Sequence, residues 1–391
     1  MTNLIEEMKD VFELANNVTS FIKSVKESIK KENSENNEAS SGDYSTQASS
    51  GDYSKQASSG NYSKQASSGN YSTQASSGYD SKQASSGDYS KQASSGNYST
   101  QASSGDYSTQ ASSGYDSKQA SSGDYSKQAS SGNYSTQASS GNYSKQVSSG
   151  NYSKQASSGY DSKQASSGNY SKQASSGNYS TQASSGNYSK SECTGEKSVI
   201  ASIGVFSIAK AKIGSWITLA EYKDVDDHYE VDFVKTEYVD GKNIKEDTFY
   251  TLCNHEFKEY GEFDGIKCAI LSHKKDVYKV KNFGENDTSY VIEKDGVFSH
   301  GKTIKEARES FIYKISNRDT SAYENLTFDS EVTFEEAVKM YRAITGACEA
   351  GTKYFVSQLS EVKKRYTIAE IIKLTDGHYG SDSFKKFFEE K

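Results

Sequence analysis

Hydrophobic and polar positions divide the chain into three stretches with three different periods. Residues 1–31 carry an apolar seam at Leu4, Met8, Val11, Ala15, Val18, Ile22, Val25 and Ile29. Steps of four and three alternate, so the spacing predicts an amphipathic helix of heptad type. Ile5, Phe12, Leu14 and Phe21 widen the stripe. Such a helix either assembles a homo-oligomer through residues 4–29 or folds over an open sheet edge as a cap. Glu32 to Ser40 reads as a polar linker, closing a first segment of residues 1–40.

From Gly42 the apolar positions almost vanish. A nine-residue unit, Gly-Asn/Asp-Tyr-Ser-Lys/Thr-Gln-Ala-Ser-Ser, recurs 17 times through Gly186 without an insertion or deletion. A short fixed period means that each unit stacks on its neighbours and buries no face alone. The predicted fold is mainly β, a parallel β-solenoid over residues 41–214 with two units per coil. A strand at the third to sixth positions would turn Ser and Gln inward, opposite Tyr and Lys. The seventh position is Ala except at Val147, which suggests a tight apolar spot. Ser-Ser-Gly would supply the bend, with Gly free to take positive φ. Three units read Tyr-Asp instead of Asp/Asn-Tyr, at Tyr79-Asp80, Tyr115-Asp116 and Tyr160-Asp161. Ring and carboxylate exchange only where both reach water. The same composition also suits disordered low-complexity chain. The strict register, and its continuation into the apolar filling of Gly195–Gly204, favours the solenoid.

The third stretch has the patterning of an α+β module. Alternating runs at Trp216–Tyr222, Tyr229–Val234, Thr248–Leu252 and Val277–Val280 predict strands within residues 215–316. Asp240-Gly241 and Asp295-Gly296 are hairpin-turn signals. Thr303-Ile-Lys-Glu306, Thr333-Phe-Glu-Glu336 and Thr367-Ile-Ala-Glu370 each open a helix with a capping box. Residues 317–391 thus read as a helical subdomain ending on Phe384, Phe387 and Phe388.

Charge narrows the function classes. The chain has a net charge of −7, and residues 41–190 hold 11 Lys against 8 Asp. Neither nucleic-acid binding nor DNA mimicry suits that balance. Calcium-binding nonapeptides need a second Gly and an Asp in every unit, and Asp stands in only eight of these units. No apolar run is long enough to span a membrane, and no signal peptide is evident at the N-terminus. The exposed chemistry of the repeat is Tyr beside Lys, Asp and Asn. Tyr53, Tyr62, Tyr71, Tyr89, Tyr98 and Tyr107 are candidates for a ladder that contacts protein or carbohydrate.

Two motifs invite chemistry. Gly296-Val-Phe-Ser-His-Gly301-Lys302-Thr303 matches the phosphate-binding loop pattern, with Gly301, Lys302 and Thr303 as candidate nucleotide contacts. Its hairpin context and the capping role of Thr303 argue against it. Cys348, in the small-residue stretch Thr345–Gly351, is a candidate nucleophile with His378 as partner, against the plainer reading of a buried small side chain. No Cys pair has zinc spacing, and no metal or other cofactor is expected. Unpaired Cys suits a reducing compartment. Pro is absent from the whole chain.

Gly214-Ser-Trp-Ile-Thr-Leu-Ala-Glu-Tyr222, Gly241-Lys-Asn-Ile-Lys-Glu-Asp-Thr-Phe-Tyr250 and Met340-Tyr-Arg-Ala-Ile-Thr-Gly-Ala-Cys348, together with the repeats, resemble repeat proteins encoded by phages and prophages of low-GC Gram-positive bacteria. The resemblance implies a phage setting; the expected location is the host cytoplasm during synthesis, with the virion and the host cell both open as the final one. It carries over no activity and no site residue. The expectation is a non-enzymatic structural or binding protein whose rod presents a C-terminal interaction module. An intracellular factor that sequesters a host protein or small molecule is the alternative.

Overall fold

The computed structural model describes residues 37–316 and 318–389. The helix expected over residues 1–31 lies outside them. The described chain divides after Phe257 into two compact units. Among the described residues no helix is long and apolar enough to cross a membrane.

The first unit is a parallel β-solenoid with two repeats per turn. Twenty short strands run from Asn37–Ser40 to Ile208–Lys210 and alternate between two sheets. Each strand pairs with the equivalent residues 18 positions away, Lys118 with Thr136 and Gln119 with Gln137. Asn37–Ser40, expected as linker, is already a strand, because its backbone pairs with Lys55–Ser58.

The strand occupies the fifth to eighth positions of the unit rather than the third to sixth. In Lys127–Ser130 the Lys and Ala face out, and Gln and Ser face in. The fourth-position Ser is buried as well and binds the turn: Ser63 Oγ donates to the Gly60 carbonyl at 2.7 Å. The Ala side chain therefore points away from the coil interior. It is buried on one sheet, as at Ala102 and Ala120, and exposed on the other, where Val147 stands. That location explains why a larger side chain is accommodated there.

The bend also differs from expectation. The left-handed residue is the third one, Tyr in most units (φ 57° at Tyr107) and Asp in the Tyr-Asp units (φ 50° at Asp116). The repeat glycines are needed for close approach instead. A Cβ on Gly105 would stand 2.1 Å from the Gly87 carbonyl oxygen, so no side chain fits between turns.

The interior is held by glutamine. Gln119 Nε2 donates to Gln101 Oε1 and to the Ala129 carbonyl of the opposite sheet, each at 2.9 Å. One bond links successive turns and the other ties the two sheets together. Both amide donors of a buried group are thereby used, which removes most of its desolvation cost. Toward the C-terminal end the filling becomes apolar. Cys193, Ile200, Ala209, Ile217 and Leu219 form one buried core with Val239, Tyr250 and Leu252. Trp216–Val225 extends one sheet in parallel and then pairs with His228–Tyr238. Asp240-Gly241 is no two-residue hairpin; the Asp240 carboxylate takes the N–H groups of Lys242, Asn243 and Ile244 and organises a longer loop.

The second unit carries an antiparallel meander whose strands include Ile266–Lys274, Val277–Asn282, Thr288–Lys294 and Val297–Gly301. Asp295-Gly296 closes the last hairpin with two left-handed residues, as its sequence predicts, and Asp264-Gly265 closes another. Helices follow: α1 (Ile304–Ile315), α2 (Phe334–Thr345), α3 (Glu349–Ser357), α4 (Ile368–Thr375) and α5 (Ser381–Glu389). Thr333 and Thr367 form full capping boxes, and Thr303 caps α1 through the Glu306 N–H. Met340, Tyr341, Ile368, Phe384 and Phe388 make their core.

The interior bonds give a sharp mutational contrast. Gln119→Ala removes three bonds, the two that Gln119 donates and the one it accepts from Gln137, and leaves a void; unfolding in denaturant should show a loss of about 2–4 kcal/mol. The buried Ser121 hydroxyl has no hydrogen-bond partner among the described residues, so Ser121→Ala should change stability by less than about 1 kcal/mol or raise it. Gly105→Ala should be at least as damaging as the glutamine change, since the clash is with main chain.

Candidate functional site

Two places concentrate chemistry, one in each unit. On the solenoid, the turn rings stack into two columns. Tyr53, Tyr71, Tyr89 and Tyr107 belong to one, with ring centroids 4.9–5.1 Å apart and planes within 7°. Tyr62 and Tyr98 belong to the other, bridged by Tyr79. The repeat predicts one or two rows of Tyr, and the structure has two, because alternate units lie on opposite sides of the coil. Each ring remains about 40–50% exposed over most of the column, as at Tyr107 with 47%. Stacking covers the ring faces, so the columns present ring edges and hydroxyls. Beside them runs a second ladder in which Asp106 Oδ1 accepts the Asp124 N–H at 2.8 Å and Asn142 Oδ1 accepts that of Tyr160 at 2.9 Å. Only a side-chain oxygen is required, which is why Asn and Asp interchange at the second position.

In the second unit, His300, Cys348, Asp264 and Lys314 converge. Strand Val297–Gly301 carries His300, and Cys348 is the N-cap of α3. His300 Nδ1 lies 3.6 Å from Cys348 Sγ. The sulfur also accepts the Gly351 N–H at 3.3 Å. Asp264, in its hairpin turn, accepts Lys314 Nζ at 2.6 Å, and the same ammonium donates to the Phe298 carbonyl and sits 3.5 Å from the centre of the Tyr379 ring. Lys314 is almost fully buried, so these contacts replace its hydration. Burial raises the Asp264 carboxyl above its usual range, and the Lys314 charge opposes that rise. His300 is pushed down to about 4, first by burial and then by Lys314, so it is neutral at pH 7. Its Nε2 makes no hydrogen bond among the described residues, although the Phe263 main chain lies close enough to favour the charged ring slightly.

A cavity of about 360 Å³ adjoins this cluster, with Cys348 and Asp264 in its wall beside Ala337, Tyr341, Phe355 and Leu359. Its volume is at the small end of the range for small-molecule pockets. The ligand atoms of Asp264, His300 and Cys348 lie within 4.8 Å of one another. A metal ion fits poorly there, because the Lys314 ammonium already neutralises Asp264 and would repel a second cation. The other such group, Glu221, Asp232 and His255, is a fastening: the Glu221 carboxylate takes the N–H groups of Asn254 and His255, both left-handed, and Asp232 takes the imidazole.

The sequence candidates are distributed differently. His378 lines the cavity, but its ring packs edge-on against Phe355, and the imidazole beside Cys348 is His300. His300 belongs to the motif that resembles a phosphate loop. In that motif Val297–Gly301 is strand, so its N–H groups serve the sheet. A Cβ on Gly301 would stand 2.3 Å from the Ala307 nitrogen, which identifies the glycine as a packing contact with α1. Lys302 N and Thr303 Oγ1 are both bonded to Glu306, whose carboxylate stands where an anion would sit. No sequence signal pairs His300 with Cys348, since they are 48 residues apart and meet only through tertiary packing.

No protein-family model, curated protein or solved structure matches the chain.

The buried imidazole makes stability pH-dependent in a defined direction. Its folded pKa lies below the ordinary value of 6.5, so the unfolded chain binds the proton first as pH falls. Between pH 7 and 4 the native chain should lose about 3 kcal/mol more stability than His300→Gln, measured by denaturant unfolding. Asp264, shifted in the opposite sense, is common to both chains and largely cancels in the comparison.

Proposed function

We propose that the chain is a phage- or prophage-associated binding rod. Its solenoid presents two tyrosine columns to a protein partner, and its second unit is an interaction module. The observation that carries this reading is the exposed, regularly spaced columns: rigid phenol edges offer large contact area with little side-chain entropy left to lose. Protein is favoured over carbohydrate because stacking leaves few ring faces open for sugar rings. The phage setting rests on the resemblance of the repeats and of the Gly214–Tyr222 and Met340–Cys348 segments.

Replacing Tyr71, Tyr89, Tyr107 and Tyr125 together by Asn alters one column while keeping residues that tolerate the left-handed turn. The full chain should co-purify with phage particles from infected cells, and the variant should do so at least ten-fold less. Equal recovery of the variant, with unchanged circular dichroism, sinks the tyrosine reading. Recovery with a host protein and none with particles favours the sequestering factor. Excising residues 87–122, two full turns, should leave the fold and the association intact if the remaining columns suffice.

A further inference from the structure

We propose that Cys348 and His300 form a nucleophile–base pair for acyl transfer, acting on esters or thioesters whose medium-length apolar acyl chain fills the adjoining cavity. This goes beyond the binding reading and does not depend on it.

Three observations converge. The setting of this thiol differs from that of two others in the chain. Cys193 and Cys268 lie against the main chain of Gly195 and Gly261, outside the cavity, and burial pushes both thiols up. Cys348 instead accepts a helix N-terminal N–H from Gly351, which favours developing negative charge on sulfur. Next, the imidazole at 3.6 Å is buried, neutral and free of any hydrogen bond at Nε2 among the described residues. With Nε2 protonated, Nδ1 is left to accept the thiol proton, so the pair rests neutral and the proton moves only as attack proceeds. Finally, the thiol lies on the wall of a mostly apolar cavity whose polar edge includes Asp264 and Glu262. Lys314 and Asp264 act as positioning residues: their buried pair fixes the turn and strand around His300.

The chemistry balances without a cofactor. The sulfur attacks the carbonyl carbon, an S–C bond forms, and the thiol proton passes to His300 Nδ1. The C–O or C–S bond to the leaving group breaks, and the leaving group takes that proton. Water then attacks the acyl-sulfur bond, releasing the acid and restoring the thiol.

The test uses the full chain with iodoacetamide and with 4-nitrophenyl acetate and octanoate. Cys348 should alkylate at least ten-fold faster than Cys193, Cys253 and Cys268, read by peptide mass spectrometry. His300→Gln should erase most of that difference. Because unfolding would accelerate all four thiols together, the relative rate stays readable even in a destabilised variant. Nitrophenolate release should leave an acyl adduct on Cys348, favour octanoate over acetate, and vanish in Cys348→Ser. Leu359→Trp, which narrows the cavity from its half-buried wall, should slow octanoate more than acetate. Alkylation of Cys348 no faster than the other thiols overturns the proposal, as does adduct formation at equal rate in His300→Gln.

Discussion

A glutamine amide taken out of water must have both N–H groups and its oxygen occupied, and the solenoid is built around meeting that demand. Gln128 Nε2 reaches Gln110 Oε1 one turn away and the Ala138 carbonyl across the coil, both at 2.8 Å. The first bond fixes the 18-residue turn, and the second fixes the gap between sheets. An inserted residue would turn the glutamine of its strand outward, because strand side chains alternate. The uninterrupted register of the repeats follows from this: each bond contributes about 1 kcal/mol when made, whereas an orphaned buried amide costs about 1–3 kcal/mol.

Such a ladder needs an ending. In one column Ser191 replaces glutamine and donates to Gln173 Oε1 at 3.3 Å, so the chain of amides closes on a hydroxyl. In the other column Ile200 follows Gln182 directly, and Gln182 Oε1 has no partner among the described residues. One unsatisfied acceptor is what the exchange of polar for apolar filling costs there. Ile200 is fully buried and packs with Ile217 and Leu219 in the core that follows. Burying such side chains contributes about 1.5–3 kcal/mol each, enough to offset the orphan.

The period of nine, the coil of two units and the polar interior were legible in the repeat, because identical units must occupy equivalent places. The position of the strand within the unit was not. A Tyr-Ser-Lys-Gln run has good strand composition, and only the requirement that glycine carbonyls of successive turns approach closely moves the turn onto Gly-Asn/Asp-Tyr. Capping boxes and the Asp295-Gly296 hairpin were readable because their chemistry is local. The pairing of His300 with Cys348 is not local at all. His378 is nearer in sequence and even lines the same cavity, yet the strand that carries His300 brings its ring to the sulfur. A single sequence holds no signal for that choice.

The tyrosine turns show how a strained backbone and a surface feature support each other. A non-glycine residue in the left-handed region costs about 1–2 kcal/mol, and 14 of the 17 units place Tyr there. An aromatic pair contributes about 0.5–1.5 kcal/mol, comparable with that cost, so the column helps to hold the turn it grows from. The Tyr-Asp units separate the two roles. They put Asp, which accepts this conformation more readily, at the left-handed site and move the ring back by one residue. If conformation were the sole requirement, the ring would be dispensable in those units. Instead Tyr79 still meets Tyr62 and Tyr98, Tyr115 meets Tyr98 and Tyr134, and Tyr160 meets Tyr143 and Tyr179, all with centroids 5.2–6.0 Å apart. What persists through every unit is the unbroken column rather than the residue at one position. The columns continue beyond the last tyrosines, through Phe206 to Tyr229 on one side and to the Lys197 ammonium over Tyr179 on the other.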